Sequence, residues 1–355
     1  MRGRNADEGV LTSTKLKALY PLYPPLRMDS EAASNLYHKF FKDFATKRTV
    51  PIRGSFVHNG ELLAITARPC TAYQKKRQFN KSPFLKVGDA VLEFSATFEF
   101  PGQDKFFWTD QAGAKVVCTR EQSIADWKST LSLDLELTIQ SYFCALAIAY
   151  QGAVRPTGNV WILDGSQYRT DRYYLSEIHE SVEYLREMKA FPEIDVEVDR
   201  VIKWTFAQNG IFDGYSDTPA SRALNYFTRM FVSEFRNDEL SDLVWALAGV
   251  EALLVEGGRS SVGQLREKLG AIFAGKIEPN WLSKMISDSY NFRSRTVHGD
   301  RQIRSFFREA EEESEKRFDE EYNSRLFAIG MLVLLLRFAI AKDLAEIHFS
   351  TVFKA

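Results

Sequence analysis

One stretch of the sequence gathers side chains that could do acid–base chemistry on a phosphodiester: Tyr290-Asn291-Phe292-Arg293-Ser294-Arg295-Thr296-Val297-His298-Gly299-Asp300. An imidazole, with an ordinary pKa of about 6.5, can take the proton of a ribose 2′-hydroxyl or give one to a departing 5′-oxygen. A guanidinium can hold the phosphate and offset the charge that builds in the transition state. On a helix turning about 100° per residue, Arg293 and His298 are separated by roughly 140°, whereas Arg295 and His298 lie on nearly one face. By spacing alone, either arginine could be the main phosphate ligand.

The neighbourhood supplies charge to match. Residues 258–308 hold ten basic and four acidic side chains, a local balance of +6 on a chain whose net charge is −1. That is a phosphate-binding footprint. Upstream, Glu251 stands among Val250, Leu253 and Leu254. A lone carboxylate is costly to bury, so the pattern predicts a pair with Arg293 or Arg295.

The elements that must hold these residues are helical. A 3.6-residue period covers 176–190, 195–208, 219–236, 238–256, 260–275, 279–298 and 305–346. His298 falls just before Gly299, at a helix end. The most apolar stretch, Leu326–Ala341, has 16 residues with Arg337 among them. It falls short of the roughly 20 residues of a bilayer span and reads as a core helix or one buried in a dimer interface. Glu309–Glu321 carries eight acids against Lys316 and Arg317. It reads as a solvated helix face; a sharper alternative is that it repels or mimics RNA in a resting state.

Before these helices the period is two. Residues 1–28, with Pro21, Pro24 and Pro25, read as irregular, and 30–47 as an amphipathic helix with Leu36, Phe40, Phe41 and Phe44 inward. Phe56-Val57-His58 and Leu62–Thr66 flank Asn59-Gly60, a hairpin signal. Residues 91–100 alternate Leu92, Phe94, Ala96, Phe98 and Phe100 with polar neighbours, as a half-buried strand does. Hairpins are predicted across Gln111-Ala112-Gly113 and Asp164-Gly165, the second between Val160–Leu163 and Tyr168–Leu175. Leu131, Leu133, Leu135, Leu137 and Ile139 alternate in the same way and predict another strand. The fold class expected is α+β: a β-rich domain over 1–190, sandwich-like or a strongly curved sheet, then an all-α bundle over 191–355, with the change near 190–215 marked by Gly210, Gly214 and Pro219.

Composition narrows the function. A chain of 355 residues suggests two domains. Lys+Arg at 46 against Asp+Glu at 47 excludes a uniformly basic nucleic-acid coat. Cys70, Cys118 and Cys144 form no C-x-x-C pair, and the five His include no H-E-x-x-H, so neither a disulfide scaffold nor a sequence-local metal site is expected, and no cofactor. His38, His58, His179 and His348 are assigned to structure or surface. The N-terminal half has no G-x-S-x-G, P-loop or dinucleotide fingerprint, and Phe106, Phe107 and Trp108 read as core rather than base-stacking residues. Met1–Gly9 lacks the apolar core of a signal peptide, and the expectation is a cytoplasmic protein without membrane contact.

Two blocks carry a family resemblance. Leu240-Ser241-Asp242-Leu243-Val244-Trp245-Ala246-Leu247-Ala248-Gly249-Val250-Glu251-Ala252-Leu253-Leu254 is an apolar helix with the acid near its end. Tyr290 to Gly299 follows a Tyr-x-x-Arg-Ser-x-x-Val-His-Gly pattern, with Val262–Phe273 as the helix between. Together they resemble the HEPN superfamily, and within it the ApeA-like HEPN domains, over about 215–348. The resemblance implies a helical domain that dimerises, with Arg-x4-6-His motifs of two protomers facing one cleft. It implies metal-independent cleavage of RNA leaving a 2′,3′-cyclic phosphate, in phage defence or toxin-like growth arrest. It makes Arg293 the phosphate ligand, ahead of Arg295, His298 the general acid/base and Glu251 the acid that orients them. Arg295, Ser294 and Asn291 would help bind substrate. Ser294 stands where many catalytic members carry Asn, Asp or His, as in the ApeA-like group. Asp300 stands where toxins silenced by AMPylation carry Tyr, so that control is not expected. The alternative is a HEPN protein that binds RNA, a nucleotide or a partner chain without cutting. By analogy the N-terminal domain would sense a regulatory ligand or protein.

Overall fold

Strand-forming residues with a period of two, set before helix-forming residues with a period of 3.6, give an α+β protein. The structure is a computed structural model, and it describes residues 13–23, 31–52, 61–69, 90–100, 107–109, 112–156, 158–168, 173, 175–208, 215–231, 239–257, 260–300 and 312–349. Its strands are β1 (Ser13–Tyr23), β2 (Arg48–Pro51), β3 (Leu62–Pro69), β4 (Ala90–Glu99), β5 (Phe107–Thr109), β6 (Lys115–Val117), β7 (Arg155–Pro156), β8 (Val160–Leu163) and β9 (Ser166–Tyr168). Its helices are α1 (Glu31–Phe44), α2 (Arg120–Ala149), α3 (Ser176–Glu187), α4 (Val198–Ala207), α5 (Pro219–Arg229), α6 (Glu239–Leu254), α7 (Ser261–Ile272), α8 (Pro279–Val297) and α9 (Glu312–Lys342).

The chain gathers into two compact units. One comprises Met1–Pro21, Asp43–Ile139 and Gly158–Thr170; the other comprises Leu22–Lys42, Gln140–Thr157 and Asp171–Ala355. In the first, the main sheet runs β2-β3-β4-β1-β8-β9. The pairs β2–β3, β3–β4, β1–β8 and β8–β9 are antiparallel. β4 forms as its alternation predicts at its far end, where Phe98 is buried and Thr97 and Glu99 are exposed. At its start both faces are covered, and Glu93 is kept by Lys17, 3.0 Å away. Trp161 of β8 donates to the Tyr20 hydroxyl of β1 at 3.0 Å. The turn between β8 and β9 has positive φ at Asp164 and Gly165, as a type I′ hairpin requires. Asp164 also accepts from the Lys15 amide, the Thr14 hydroxyl and Lys128, and these contacts hold its carboxyl below the usual carboxylate range against the cost of burial. β5 and β6 form the hairpin expected across Gly113.

Two expectations fail in this part. Residues 13–23 are not irregular but form β1. Pro21 falls between the pairing of residues 16–19 with β8 and that of residues 22–23 with β7, so its missing N–H costs no bond on that side. The alternating leucines at 131–137 are not a strand but the middle of the 30-residue α2. Leu131, Leu135, Ile139 and Tyr142 are buried at helical spacing, whereas Leu133 is 56% exposed. Leu and Glu are strong helix formers, and here propensity and length outweigh the alternation. The strand expected at Phe56–His58 lies outside the described residues.

In the second unit, α1 forms as predicted, with Phe40 and Phe44 fully buried. Among the described residues, each of the seven predicted C-terminal helical stretches contains one helix, α3 to α9. α9 packs against α3, α6 and α8, and more lightly against α4 and α5. Its Gly330 lets α3 approach so closely that an added Cβ would meet the Ser181 carbonyl at 2.8 Å. Leu332 packs against Gly249 of α6, and Phe327 meets Trp281 of α8 edge to face at 5.8 Å. By length and apolar composition alone, α2 and residues 319–342 of α9 could cross a membrane. Their apolar windows are 72% and 89% buried in the protein, which makes them core helices here. The 16-residue apolar stretch is therefore part of a longer helix, and its burial, not its length, assigns it to the core.

Candidate functional site

α8 begins at Glu278, whose carboxylate accepts from the Asn280 and Trp281 amides, with Pro279 at the first helical position. Leu282, Met285, Ile286, Ser289 and Phe292 turn inward. The helix stops as the sequence predicts: the His298 amide bonds to the Ser294 carbonyl at 3.0 Å, and Gly299 follows at φ +75°. Arg293 therefore sits on the flank of α8 that faces α6, one position beyond the buried Phe292.

There it meets the acid the sequence singles out. Arg293 Nη1 lies 3.1 Å from Glu251 Oε2, and both side chains are about one quarter exposed, at 29% and 23%. The pair is partly screened, so its Coulomb energy is modest and its main effect is directional. Tyr290, one turn before Arg293, completes the group. The Arg293 guanidinium lies 5.9 Å from its ring centroid. Its hydroxyl is buried and forms no well-made hydrogen bond, yet it is near enough to Glu251 for the carboxylate to matter. Burial first, and the Glu251 charge second, push its pKa above the ordinary phenol value. Tyr290 is a site residue that the spacing argument passed over, although it heads the motif.

The remaining predicted residues lie elsewhere on α8. His298 is exposed at the helix end, and among the described residues its imidazole has no hydrogen-bond partner. No hydrogen bond links it to Arg293 or Glu251. Ser294 is exposed, and its contribution to the helix end is its backbone carbonyl. Asn291 and Arg295 face a different way from Arg293. They line a cavity of about 600 Å³ together with Lys284 and Asp288 of the same helix. Met285, Phe292 and the half-buried Tyr184 of α3 supply its less polar surface, and Asp319, Glu320 and Asn323 of α9 form the opposite wall. The stripe 284, 288, 291 and 295 follows helical spacing and was readable in the sequence. That α9 would face it was not.

The structure thus brings Glu251 and Arg293 together, places Arg295 but not Arg293 on the cavity, and leaves His298 exposed at the end of the same helix. Of the local basic residues, Arg259, Arg301, Arg304 and Arg308 lie outside the described residues. Among the described residues, no three His, Cys, Asp or Glu side chains converge as a metal ion would need. Cys118 and Cys144 are buried free thiols, and burial raises the Cys144 pKa. No family model, curated protein or solved structure matches the chain.

Proposed function

We propose that the chain is a metal-independent endoribonuclease of HEPN type, acting in the cytoplasm in phage defence or toxin-like growth arrest. The observation that carries this reading is the Glu251–Arg293 pair across α6 and α8 with His298 exposed at the end of the same α8. Glu251 points the guanidinium, whose remaining N–H donors are free to take a phosphate oxygen. His298 removes the proton of the ribose 2′-hydroxyl, the 2′-oxygen attacks phosphorus, and the 5′-oxygen leaves with the proton that His298 has taken. The products are a 2′,3′-cyclic phosphate and a 5′-hydroxyl. No hydrogen bond links Arg293 and His298 within one chain, and in this reading the complete site is formed by two protomers of a homodimer. The N-terminal sheet is the regulatory or specificity part.

A second reading has its own support. Arg293 is engaged by Glu251, and Arg295 lines a cavity rather than joining His298. A protein that binds RNA or a nucleotide without cutting would need no more than that.

RNA cleavage in EDTA distinguishes the two. Wild type, Arg293→Ala and His298→Ala are compared on total cellular RNA and on tRNA, with unfolding midpoints measured for each. Cutting by wild type alone, with cyclic-phosphate and 5′-hydroxyl ends, is the expected result. Equal cutting by all three proteins refutes the site. Absence of cutting with retained RNA affinity in all three favours the binding reading.

A further inference from the structure

A buried phenol hydroxyl ordinarily has a hydrogen-bond partner. That of Tyr290 is buried and makes no well-made hydrogen bond. Phenylalanine would fill the same space without the cost of a buried hydroxyl, so packing alone does not call for tyrosine here. Among the described residues, the charges that act on this hydroxyl are those of Glu251 and Arg293. Tyr290 and Arg293 are three apart on α8 and so are neighbours on one flank of the helix. The Arg293 guanidinium lies 5.9 Å from the Tyr290 ring centroid, and its Nη1 lies 3.1 Å from Glu251 Oε2. Tyr290 therefore adjoins both members of the pair, Glu251 through its hydroxyl and Arg293 through its ring.

A phosphate drawn to Arg293 brings negative charge beside the Glu251 carboxylate. The two anions then compete for one guanidinium and repel each other. If Glu251 swings away, the guanidinium loses the partner that aims it. A second donor on Glu251 prevents this, provided that it keeps its proton and does not itself attract the phosphate as a cation would. A phenol, with an ordinary pKa of about 10, meets both conditions. Burial first, and the Glu251 charge second, push Tyr290 above that value, so its hydroxyl is a donor at neutral pH.

We propose that Tyr290 is a positioning residue, whose hydroxyl donates to Glu251 and so keeps the Arg293 guanidinium aimed while a phosphate oxygen shares it. The bond is loose in the structure and tightens as the phosphate draws Arg293 off the carboxylate. That the phosphate is the scissile one of an RNA rests on the function proposed above. The action of Tyr290 on Arg293 through Glu251 does not, since any phosphate held by Arg293 calls for it.

The test uses Tyr290→Phe, which removes the hydroxyl alone, in the wild-type chain and in a Glu251→Ala background. Two readouts are taken on each protein, with its unfolding midpoint. One is kcat/KM for RNA cleavage in EDTA. The other needs no turnover: modification of Arg293 by phenylglyoxal, located by mass spectrometry, and its protection by inorganic phosphate. Tyr290→Phe is expected to lower kcat/KM and to raise the half-protecting phosphate concentration, each about tenfold, the low end for a hydrogen bond to a charged group. Its unfolding midpoint should not fall, because an unsatisfied hydroxyl has been removed. In the Glu251→Ala background the same change should have an effect within about twofold of none, because the acceptor is gone. A purely structural tyrosine would instead lower the midpoint and act equally in both backgrounds, and either result overturns the proposal. Unchanged cleavage in Tyr290→Phe, with cleavage lost in His298→Ala, overturns it and leaves the ribonuclease reading standing. If wild type cuts no RNA, the ribonuclease reading is what fails, and phosphate protection decides the role of Tyr290. A weaker protection in Tyr290→Phe then upholds it. Equal protection in the two proteins, or none in wild type, overturns it.

Discussion

Arg337→Met is the sharpest test of how the helical unit is held. Arg337 lies in the most apolar part of α9 and is 4% exposed. Its Nη1 donates to the carbonyls of Ile148 and Ala149 at 2.8 and 3.1 Å, and its Nη2 to that of Ile194 at 2.6 Å. The first two carbonyls belong to the last turn of α2, where a helix has no partners of its own to offer. Burial pushes the Arg337 pKa down, to about 10, with Glu193 opposing the shift, so the guanidinium is charged at neutral pH. Methionine fills similar space and removes three charge-assisted bonds, each worth about 1.5–3 kcal/mol. Relief of the buried charge returns several kcal/mol of that sum. The expected net loss is about 2–4 kcal/mol, dominated by the carbonyls left without donors. Lysine keeps the charge but not the fork, and Arg337→Lys should lose about half as much. Urea unfolding followed by far-ultraviolet circular dichroism reads both, as a lower midpoint at unchanged slope. A loss below about 0.5 kcal/mol for Arg337→Met would mean that the three carbonyls are satisfied without the guanidinium, and the reasoning would be wrong.

Three more predictions address other contacts. Gly330→Ala sets a Cβ 2.6 Å from Leu185 Cδ1 and 2.8 Å from a backbone carbonyl, so α3 and α9 must separate; a loss of about 1–3 kcal/mol in the same unfolding assay is expected, and a neutral result would refute the close approach. His179 is buried, and burial, then Arg155, lower its pKa against the pull of Glu183. The unfolded chain therefore binds the extra proton first, and the stability that His179 contributes is complete above its ordinary value and lost as pH falls through it towards the lowered one. His179→Asn should flatten stability between about pH 7 and 5 relative to wild type, and parallel curves would count against the burial effect. For Glu251 and Arg293, a double-mutant cycle to alanine should give a coupling of about 1 kcal/mol, as befits a partly exposed pair, and a coupling of zero would remove the orienting role assigned to Glu251.

What could be read from the sequence follows from which force dominates each segment. α1, β4, the 164–165 turn and α3 to α9 are set by local patterns that agree with their burial, so period and turn residues sufficed. α2 was missed because Leu131 to Ile139 satisfy two periods at once. The deciding information lay in the propensities of Leu and Glu and in an apolar run that continues to Ala149. β1 was missed because its prolines read as breaks, and only the register with β7 and β8 shows where a break costs nothing. At the site, Glu251 and Arg293 were legible because a carboxylate amid apolar residues demands a cation. The separation of Arg295 from Arg293 was legible as an angle on one helix. The wall that α9 adds opposite Arg295 depends on how two distant helices pack, which no local pattern encodes.

The pairing of β1 with β8 also sets a timetable for synthesis. Thr14 and Asp164 are hydrogen-bonded neighbours 150 residues apart. At about 5–20 residues per second, a ribosome delivers the second strand roughly 8–30 s after the first. In that interval β1 can gain β4 on one side, but its other edge stays open. The N-terminal sheet gains β8 only after α2 has been made, so the 30-residue helix is synthesised while the sheet is unfinished. Strand β1 is thus laid down first and secured last, and a nascent chain stalled before residue 160 would expose a central strand as an edge.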